Sequence, residues 1–317
     1  MNPLMSSIVI SSLILGTMIT MSSFHWLIAW LGLELNMLSI IPLIAKQHHP
    51  RATEASTKYF LIQAAASATI LFSSTVNAWS TGTWDITQLT YQPACIMLTT
   101  ALSLKLGLAP LHFWLPEVLQ GTTMKTAMII ATWQKLAPMT LLLLTHNSLH
   151  PSMLLIMGLS SALVGGWGGL NQTQVRKIMA YSSIAHIGWM ATILALAPNI
   201  LILYLTIYLL MTLSMFFILI IHSSKTIKDL TSSWTASPTL TALTLILLMS
   251  LAGLPPLSGF LPKWLILQEL IYHNLSMVAT MMALSTLLSL FFYLRLSYTT
   301  ALTLPPTTTQ NKLKWRL

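Results

Sequence analysis

The chain carries, at residues 199–222, the stretch NILILYLTIYLLMTLSMFFILIIH, which contains no Asp, Glu, Lys or Arg. An α-helix rises about 1.5 Å per residue, so about 20 apolar residues cross the ~30 Å hydrocarbon core of a bilayer. This stretch is long enough and apolar enough to predict a transmembrane helix.

Similar stretches recur along all 317 residues, separated by short polar breaks. Hydrophobic residues make up 55% of the chain and charged residues 7%, whereas a soluble domain has about 25% charged residues. The sequence therefore predicts an all-α fold, a polytopic transmembrane helix bundle that forms a single domain over residues 1–317. We expect about ten spans, at residues 2–21, 26–45, 59–78, 95–119, 126–145, 152–170, 178–197, 199–222, 239–270 and 276–298.

The basic residues predict the orientation of the bundle. Ten alternating spans place five connections on one side, at residues 46–58, 120–125, 171–177, 223–238 and the tail after 298. These hold 11 of the 15 Lys and Arg, with Arg295 at the adjacent helix end. The connections of the other side contain no Lys or Arg. The positive-inside rule then places both termini inside. The net charge of +9 is explained by topology, which argues against nucleic-acid binding, and the single Cys95 excludes a disulfide framework and a cysteine metal cluster.

Four charged residues lie within predicted spans, where topology does not explain them: Glu34, Lys105, Lys135 and Lys263. Each lies roughly 7–10 residues from the nearer end of its span, about 10–15 Å deep and close to the midplane. That depth exceeds the reach of a snorkelling side chain. A buried ion pair would use Glu34 and one lysine, but it leaves two lysines over. We therefore interpret the row as a proton relay, since each such charge costs about 2.5–3.5 kcal/mol to insert.

Two histidines are auxiliary candidates for such a relay, because histidine titrates near neutral pH. They are His112 and His186. A hydrogen-bonded packing role accounts equally well for each of them.

A short repeat lies in the two longest predicted spans. GLAPLHFWLPE at residues 107–117 and GLPPLSGFLPK at residues 253–263 are identical at six of eleven positions. The two spans run in opposite directions, which is typical of inverted-topology repeats with discontinuous helices. We predict helix breaks at Pro110, Pro255 and Pro256, a first, truncated repeat region over residues 2–145 and a second over residues 152–298. The alternative is a proline kink without a site.

Several motifs make the chain recognisable. They are WLGLELNM at residues 30–37, KLGLAPLHFWLPE at 105–117, TWQKLAP at 132–138, GGLNQTQVRKIMAYSS at 168–183 and GLPPLSGFLPKW at 253–264. These stretches resemble the antiporter-like membrane-arm subunits of the proton-pumping NADH:ubiquinone oxidoreductase, respiratory complex I, in the form encoded by animal mitochondria. The resemblance covers essentially the whole chain.

The resemblance implies a proton-translocating, non-redox subunit, driven by NADH oxidation and ubiquinone reduction elsewhere in the complex. It matches the family's charged relay to Glu34, Lys105, Lys135 and Lys263, and implies no cofactor and no metal in this chain. The expected partners are other membrane-arm subunits, including a neighbouring antiporter-like subunit, and inner-membrane lipids, with no nucleic acid. The expected location is the mitochondrial inner membrane, with basic loops and both termini facing the matrix. The family pattern also implies one helix more than the ten expected here.

Two other classes of function remain open from the residues alone. A stand-alone secondary antiporter would transport protons as the purified chain. A purely structural membrane scaffold would tolerate neutral residues at all four midplane positions.

Overall fold

The computed structural model describes residues 3–47 and 49–303, which fold into helices without a β-strand. Short 3-10 turns at Ala45–Gln47 and Trp133–Lys135 connect helices at two places. The helices are α1 Pro3–Ser22, α2 Trp26–Ile44, α3 Pro50–Thr81, α4 Gln92–Leu106, α5 Trp114–Gly121, α6 Met124–Ala131, α7 Leu136–Leu144, α8 Pro151–Gly169, α9 Val175–Leu194, α10 Pro198–Ile221, α11 Ile227–Ala236, α12 Pro238–Ala252, α13 Phe260–Tyr272 and α14 Ser276–Leu302.

Seven segments of the described chain are long and apolar enough to cross a membrane: α1, α2, α3, the segment Met124–Leu144 that comprises α6 and α7, α8, α10 and α14. The prediction of an all-α membrane bundle is thereby confirmed, whereas the number of ten spans stays a prediction. The other three predicted spans coincide with α4 and α5, with α9, and with α12 and α13. Of these, α12 is apolar but has only 15 residues.

Helix α9 occupies the centre of the bundle. Its buried residues, 17 of 20, lie on all sides of the helix. Polar side chains such as Ser182, Ser183 and His186 therefore face protein rather than lipid, which a membrane helix tolerates. By contrast, α1 exposes Ile8, Leu15 and other long apolar side chains, as a lipid-facing helix does.

Small residues bring the central helix against α8. A Cβ added to Gly158 would lie 2.8 Å from the backbone oxygen of Gly188, and one added to Gly188 would lie 2.7 Å from that of Gly158. Only glycine allows two backbones to approach this closely, as is common between membrane helices. This contact holds α9, and with it His186, in register with α8.

Connections predicted to share one side of the membrane lie together. Trp26 N donates to Trp84 O at 3.1 Å and Ile86 N to Phe24 O at 3.0 Å, which joins two connections of the side without Lys or Arg. On the basic side, Val175 N donates to Lys225 O at 3.2 Å and Ile227 N to Thr173 O at 3.1 Å. These pairings agree with the alternation on which the orientation was predicted.

The two repeat segments have the same local backbone. Helix α4 ends before Gly107, with φ of 80°, and α12 ends before Gly253, with φ of 87°. The next residue in each segment, Leu108 or Leu254, donates its N–H back to the carbonyl oxygen of Ser103 or Met249. Non-helical segments follow at residues 107–113 and 253–259, and they contain Pro110, Pro255 and Pro256.

Candidate functional site

Lys263 lies against the end of α12. Its Nζ donates to Ala252 O at 2.9 Å and to Leu251 O at 3.4 Å. The last carbonyls of a helix lack partners within it, and they form the negative end of the helix dipole. A Cβ on Gly253 would lie 2.9 Å from Nζ, so glycine at this position provides space for the ammonium group as well as the left-handed turn.

Lys105 lies in the last turn of α4, and it is buried, with 7% of its surface exposed. Trp114 at the start of α5 donates its indole N–H to Leu104 O at 3.1 Å, and the Gln63 amide donates to Lys105 O at 3.4 Å. Within the described residues, the Lys105 ammonium group donates no hydrogen bond to protein. It borders an internal cavity instead.

This cavity joins two of the predicted relay lysines. It is lined by Lys105 on α4 and Lys135 on the 3-10 turn, together with the polar side chains of Asn36, Gln63 and Gln134. The space open to the centre of a water molecule is about 20 Å³. A water needs about 10–15 Å³ of such space and two to four polar partners. The cavity therefore has room for about one water, with these polar side chains as its partners.

Lys135 interrupts a predicted span. Residues 126–145 were expected to form one membrane span, and within it α6 ends at Ala131 and α7 begins at Leu136. Pro138 explains the interruption, because it has no N–H for the carbonyl of Gln134 and its ring clashes there. The hydroxyl of Tyr208 donates to Ala131 O at 3.0 Å and accepts from Lys135 Nζ at 3.0 Å.

His186 lies next to the same tyrosine. Its Nδ1 is 2.9 Å from the hydroxyl of Tyr204, and its ring centroid is 5.4 Å from that of Tyr208. The two tyrosines are four residues apart on α10 and thus share one face. His186 is close enough to both Lys135 and Lys263 to interact with their charges.

The remaining candidates lie at the edge of this group. The Glu34 carboxylate accepts a hydrogen bond of 2.5 Å from Ser67. It acts on Lys105 electrostatically, but the ion pairs within 4.0 Å in the described chain are those of Lys58 with Glu54 and Glu117. His112 is buried in segment 107–113 with its ring 4.2 Å from that of Phe113.

Sequence reasoning missed the neutral polar residues of the site. Gln134 donates to Asn36 Oδ1 at 2.8 Å, and Tyr59 donates to Gln134 Oε1 at 3.5 Å. Tyr204 and Tyr208 were also missed. A signal was present, since Asn36 lies two residues after Glu34 and Gln134 lies next to Lys135, but neutral polar residues within spans do not identify their partners.

Several side chains of this group can bind and release protons. Lysine, tyrosine and histidine side chains bind protons reversibly, and a water in the cavity can donate and accept. The shared cavity borders Lys105 and Lys135, the Tyr208 hydroxyl is hydrogen-bonded to Lys135, and the His186 ring lies beside the Tyr208 ring. Electrostatic interactions link Glu34 to Lys105 and Lys263 to His186.

Comparison with known proteins gives consistent results. A family model described as "NADH:quinone oxidoreductase/Mrp antiporter, TM" matches residues 23–289, and one described as "NADH dehydrogenase subunit 2 C-terminus" matches residues 290–317. The chain is 60% identical over 317 residues to NADH-ubiquinone oxidoreductase chain 2 of Varanus timorensis and 58% identical to that of Salmo salar. The alignments cover 100% of this chain and 92% and 91% of those relatives.

Solved structures show the same similarity. A chain of respiratory complex I from Thermus thermophilus, solved with bound aureothin, superposes with a TM-score of 0.89 at 28% identity, covering 99% of this chain and 75% of that one. A chain of the Mrp complex from Dietzia sp. superposes with a TM-score of 0.84 at 18% identity, covering 95% and 61%, and shows the shared fold. The chain therefore belongs to the NADH:quinone oxidoreductase/Mrp antiporter family of transmembrane proteins, within the group that includes chain 2 of NADH-ubiquinone oxidoreductase.

Proposed function

We propose that the chain is a proton-translocating, non-redox subunit in the membrane arm of respiratory complex I, located in the mitochondrial inner membrane. Its neighbours there would be other membrane-arm subunits, among them a second antiporter-like subunit, and inner-membrane lipids. The basic connections would face the matrix. The identity to chain 2 relatives over the full length of this chain supports this assignment.

The fold within the membrane follows from the same proposal. Helices α4 and α5 form one discontinuous span, α12 and α13 form another, and α9 is a further span, which brings the total from seven to ten. The two discontinuous spans are related as inverted repeats, within regions 2–145 and 152–298. Support comes from the repeat segments, in which the glycine, the backbone hydrogen bond after it and the next helix start recur at a constant offset. Such half-helix ends place ion sites near the midplane.

The relay then has an order. Glu34 sets the charge state of Lys105, and water in the shared cavity carries a proton between Lys105 and Lys135. Tyr208 and His186 connect Lys135 to Lys263, which exchanges with the outlet or with the next subunit. His112 lies beside the first break as an auxiliary group.

The observation that carries this proposal is the cavity between Lys105 and Lys135. A structural role would require each buried lysine to be paired with a carboxylate, because an unpaired buried charge is costly. In the described residues Lys135 instead has the neutral hydroxyl of Tyr208, with Nζ 5.1 Å from the centre of that ring. A lysine with a neutral partner and access to water suits a group that gains and loses a proton.

Lys135→Met tests the relay, since methionine keeps an unbranched apolar stem and cannot bind a proton. We expect the complex to assemble while NADH-driven quinone reduction coupled to proton translocation collapses. Activity is measured in membranes per assembled complex, with Lys46→Met, at an exposed position, as the control. A scaffold predicts normal rates, and normal rates would refute the relay. A stand-alone antiporter predicts proton transport by the purified chain in vesicles.

A further inference from the structure

We propose that four helix ends on the basic side of the molecule form a binding site for the phosphate headgroup of an anionic phospholipid. The site is a cavity of about 320 Å³, lined by His49, Arg51, Arg176, Lys225 and residues 120–124. No Asp or Glu lines it. Its charge is thus +3 with a neutral histidine.

Helix dipoles add to this charge. His49 is the N-cap of α3 and Thr123 the N-cap of α6, Arg176 is the second residue of α9, and Lys225 directly precedes the N-cap of α11. The N-terminal end of a helix is its positive end, and its free N–H groups bind phosphate oxygens. The cavity therefore has three formal positive charges and lies beside four helix starts, of which α11 is already capped by the Asp229 carboxylate.

The cations of the cavity have no close ion-pair partners in the described part of the chain. Among the described residues, Arg51, Arg176 and Lys225 form no ion pair within 4.0 Å. Arg176 donates one guanidinium N–H to Thr122 O, but its Nε is buried without a hydrogen-bond partner. Two acids are near enough to interact electrostatically with these cations, Asp229 with Lys225 and Glu54 with Arg51. The Asp229 carboxylate already accepts from the N–H groups of Lys225 and Thr226, and Glu54 forms an ion pair with Lys58. An external anion would supply the missing acceptor and charge.

The walls of the cavity are preorganised. The bonds between residues 173–175 and 225–227 tie the start of α9 to the start of α11. At the opposite wall, a Cβ on Gly121 would lie 2.7 Å from Arg51 O, so α5 packs closely on α3. A rigid site avoids the entropic loss of ordering its own groups on binding.

The position of the cavity favours a lipid over a soluble anion or an acidic protein segment. Candidate membrane spans begin at Pro50 and Met124, beside Arg51 and Thr123, so the cavity lies at the level where membrane-spanning helices meet headgroups. Basic pockets between membrane helices at this level recognise anionic headgroups. The planar guanidinium groups of Arg51 and Arg176 match the geometry of phosphate oxygens.

The test uses the native assembly, reconstituted in phosphatidylcholine nanodiscs that contain phosphatidylglycerol with a photoreactive headgroup. We expect crosslinks on residues 120–125 or 175–177, competed by unlabelled phosphatidylglycerol but not by inorganic phosphate. The double variant Arg51→Gln with Lys225→Gln should lower the yield about tenfold, the equivalent of ~1.4 kcal/mol. The control is Lys46→Gln with Lys228→Gln, which removes the same charge at exposed positions outside the cavity.

Each other outcome would overturn the proposal. Equal crosslinking in the double variant and the control would show that the cations of the cavity do not hold the lipid. Competition by inorganic phosphate alone would indicate a soluble-anion site. Crosslinks to an acidic segment of another subunit, in place of lipid, would identify a protein interface. The competition experiment requires only the native protein and decides the matter even where the double variant fails to assemble.

Discussion

Replacing Gly253 by alanine should disconnect Lys263 from the end of α12. Gly253 has φ of 87°, a conformation that strains any L side chain, and the strain amounts to roughly 1–2 kcal/mol. The new Cβ would also lie 2.9 Å from Lys263 Nζ and 3.0 Å from its Cδ. The ammonium group must move away from Ala252 O, and a hydrogen bond with a charged donor contributes about 1.5–3 kcal/mol.

Gly82→Ala provides the matched control. Gly82 has φ of 74° at the end of α3, and no atom lies within 4 Å of the Cβ position. It therefore incurs the same backbone strain without a displaced neighbour. The difference between the two variants isolates the Lys263 contact, about 1.5–3 kcal/mol, which corresponds to roughly 10- to 100-fold in an equilibrium.

The assay is NADH-driven proton translocation per assembled complex, with assembly measured separately. We expect Gly82→Ala to resemble the native protein and Gly253→Ala to lose roughly tenfold or more in proton translocation. Equal rates for the two variants would refute the inference that the carbonyl group of Ala252 positions Lys263 for transfer.

Three further predictions follow from single contacts. Tyr208→Phe removes the hydroxyl shared by Lys135 and Ala131 O and should slow proton translocation per complex. The control Tyr272→Phe, at a residue 80% exposed, should leave the rate unchanged. Equal rates for the two variants would exclude Tyr208 from the proton path. Gln134→Leu removes the amide that bonds Asn36 and lines the cavity, so water between Lys105 and Lys135, visible as a density peak in a high-resolution structure of the native protein, should be absent in the variant. Burial opposes ionisation of Asp229, but hydrogen bonds from the Thr226 and Lys225 N–H groups hold its pKa below the ordinary value of 3.8. The stabilisation of α11 by Asp229 is therefore complete above pH 3.8 and is lost as the pH falls through the native pKa. Amide hydrogen exchange of residues 227–236 would detect this loss, and Asp229→Asn should abolish the pH dependence.

Much of the fold could be predicted because a membrane simplifies the problem. Transfer of a side chain into lipid depends on its own polarity, so residues 199–222 are recognisable as a span whatever surrounds them. Helix α9 is the instructive exception. Its polar side chains face other helices, so its composition is less apolar than that of α10. The length of α9 suits a membrane span, but its composition alone indicates a span less clearly.

The sequence by itself determined the membrane bundle, the distribution of positive charge and the four charged positions within spans, since each depends on the chemistry of individual residues. Only the tertiary structure decided the partners: Ser67 for Glu34, a shared cavity for Lys105, Tyr208 for Lys135 and the end of α12 for Lys263. These contacts join residues up to 73 positions apart. They depend on which helix faces pack together and on where Gly253 and Pro138 interrupt the backbone. In a chain where most helix faces are apolar, hydrophobic periodicity does not distinguish the face turned to protein from the face turned to lipid.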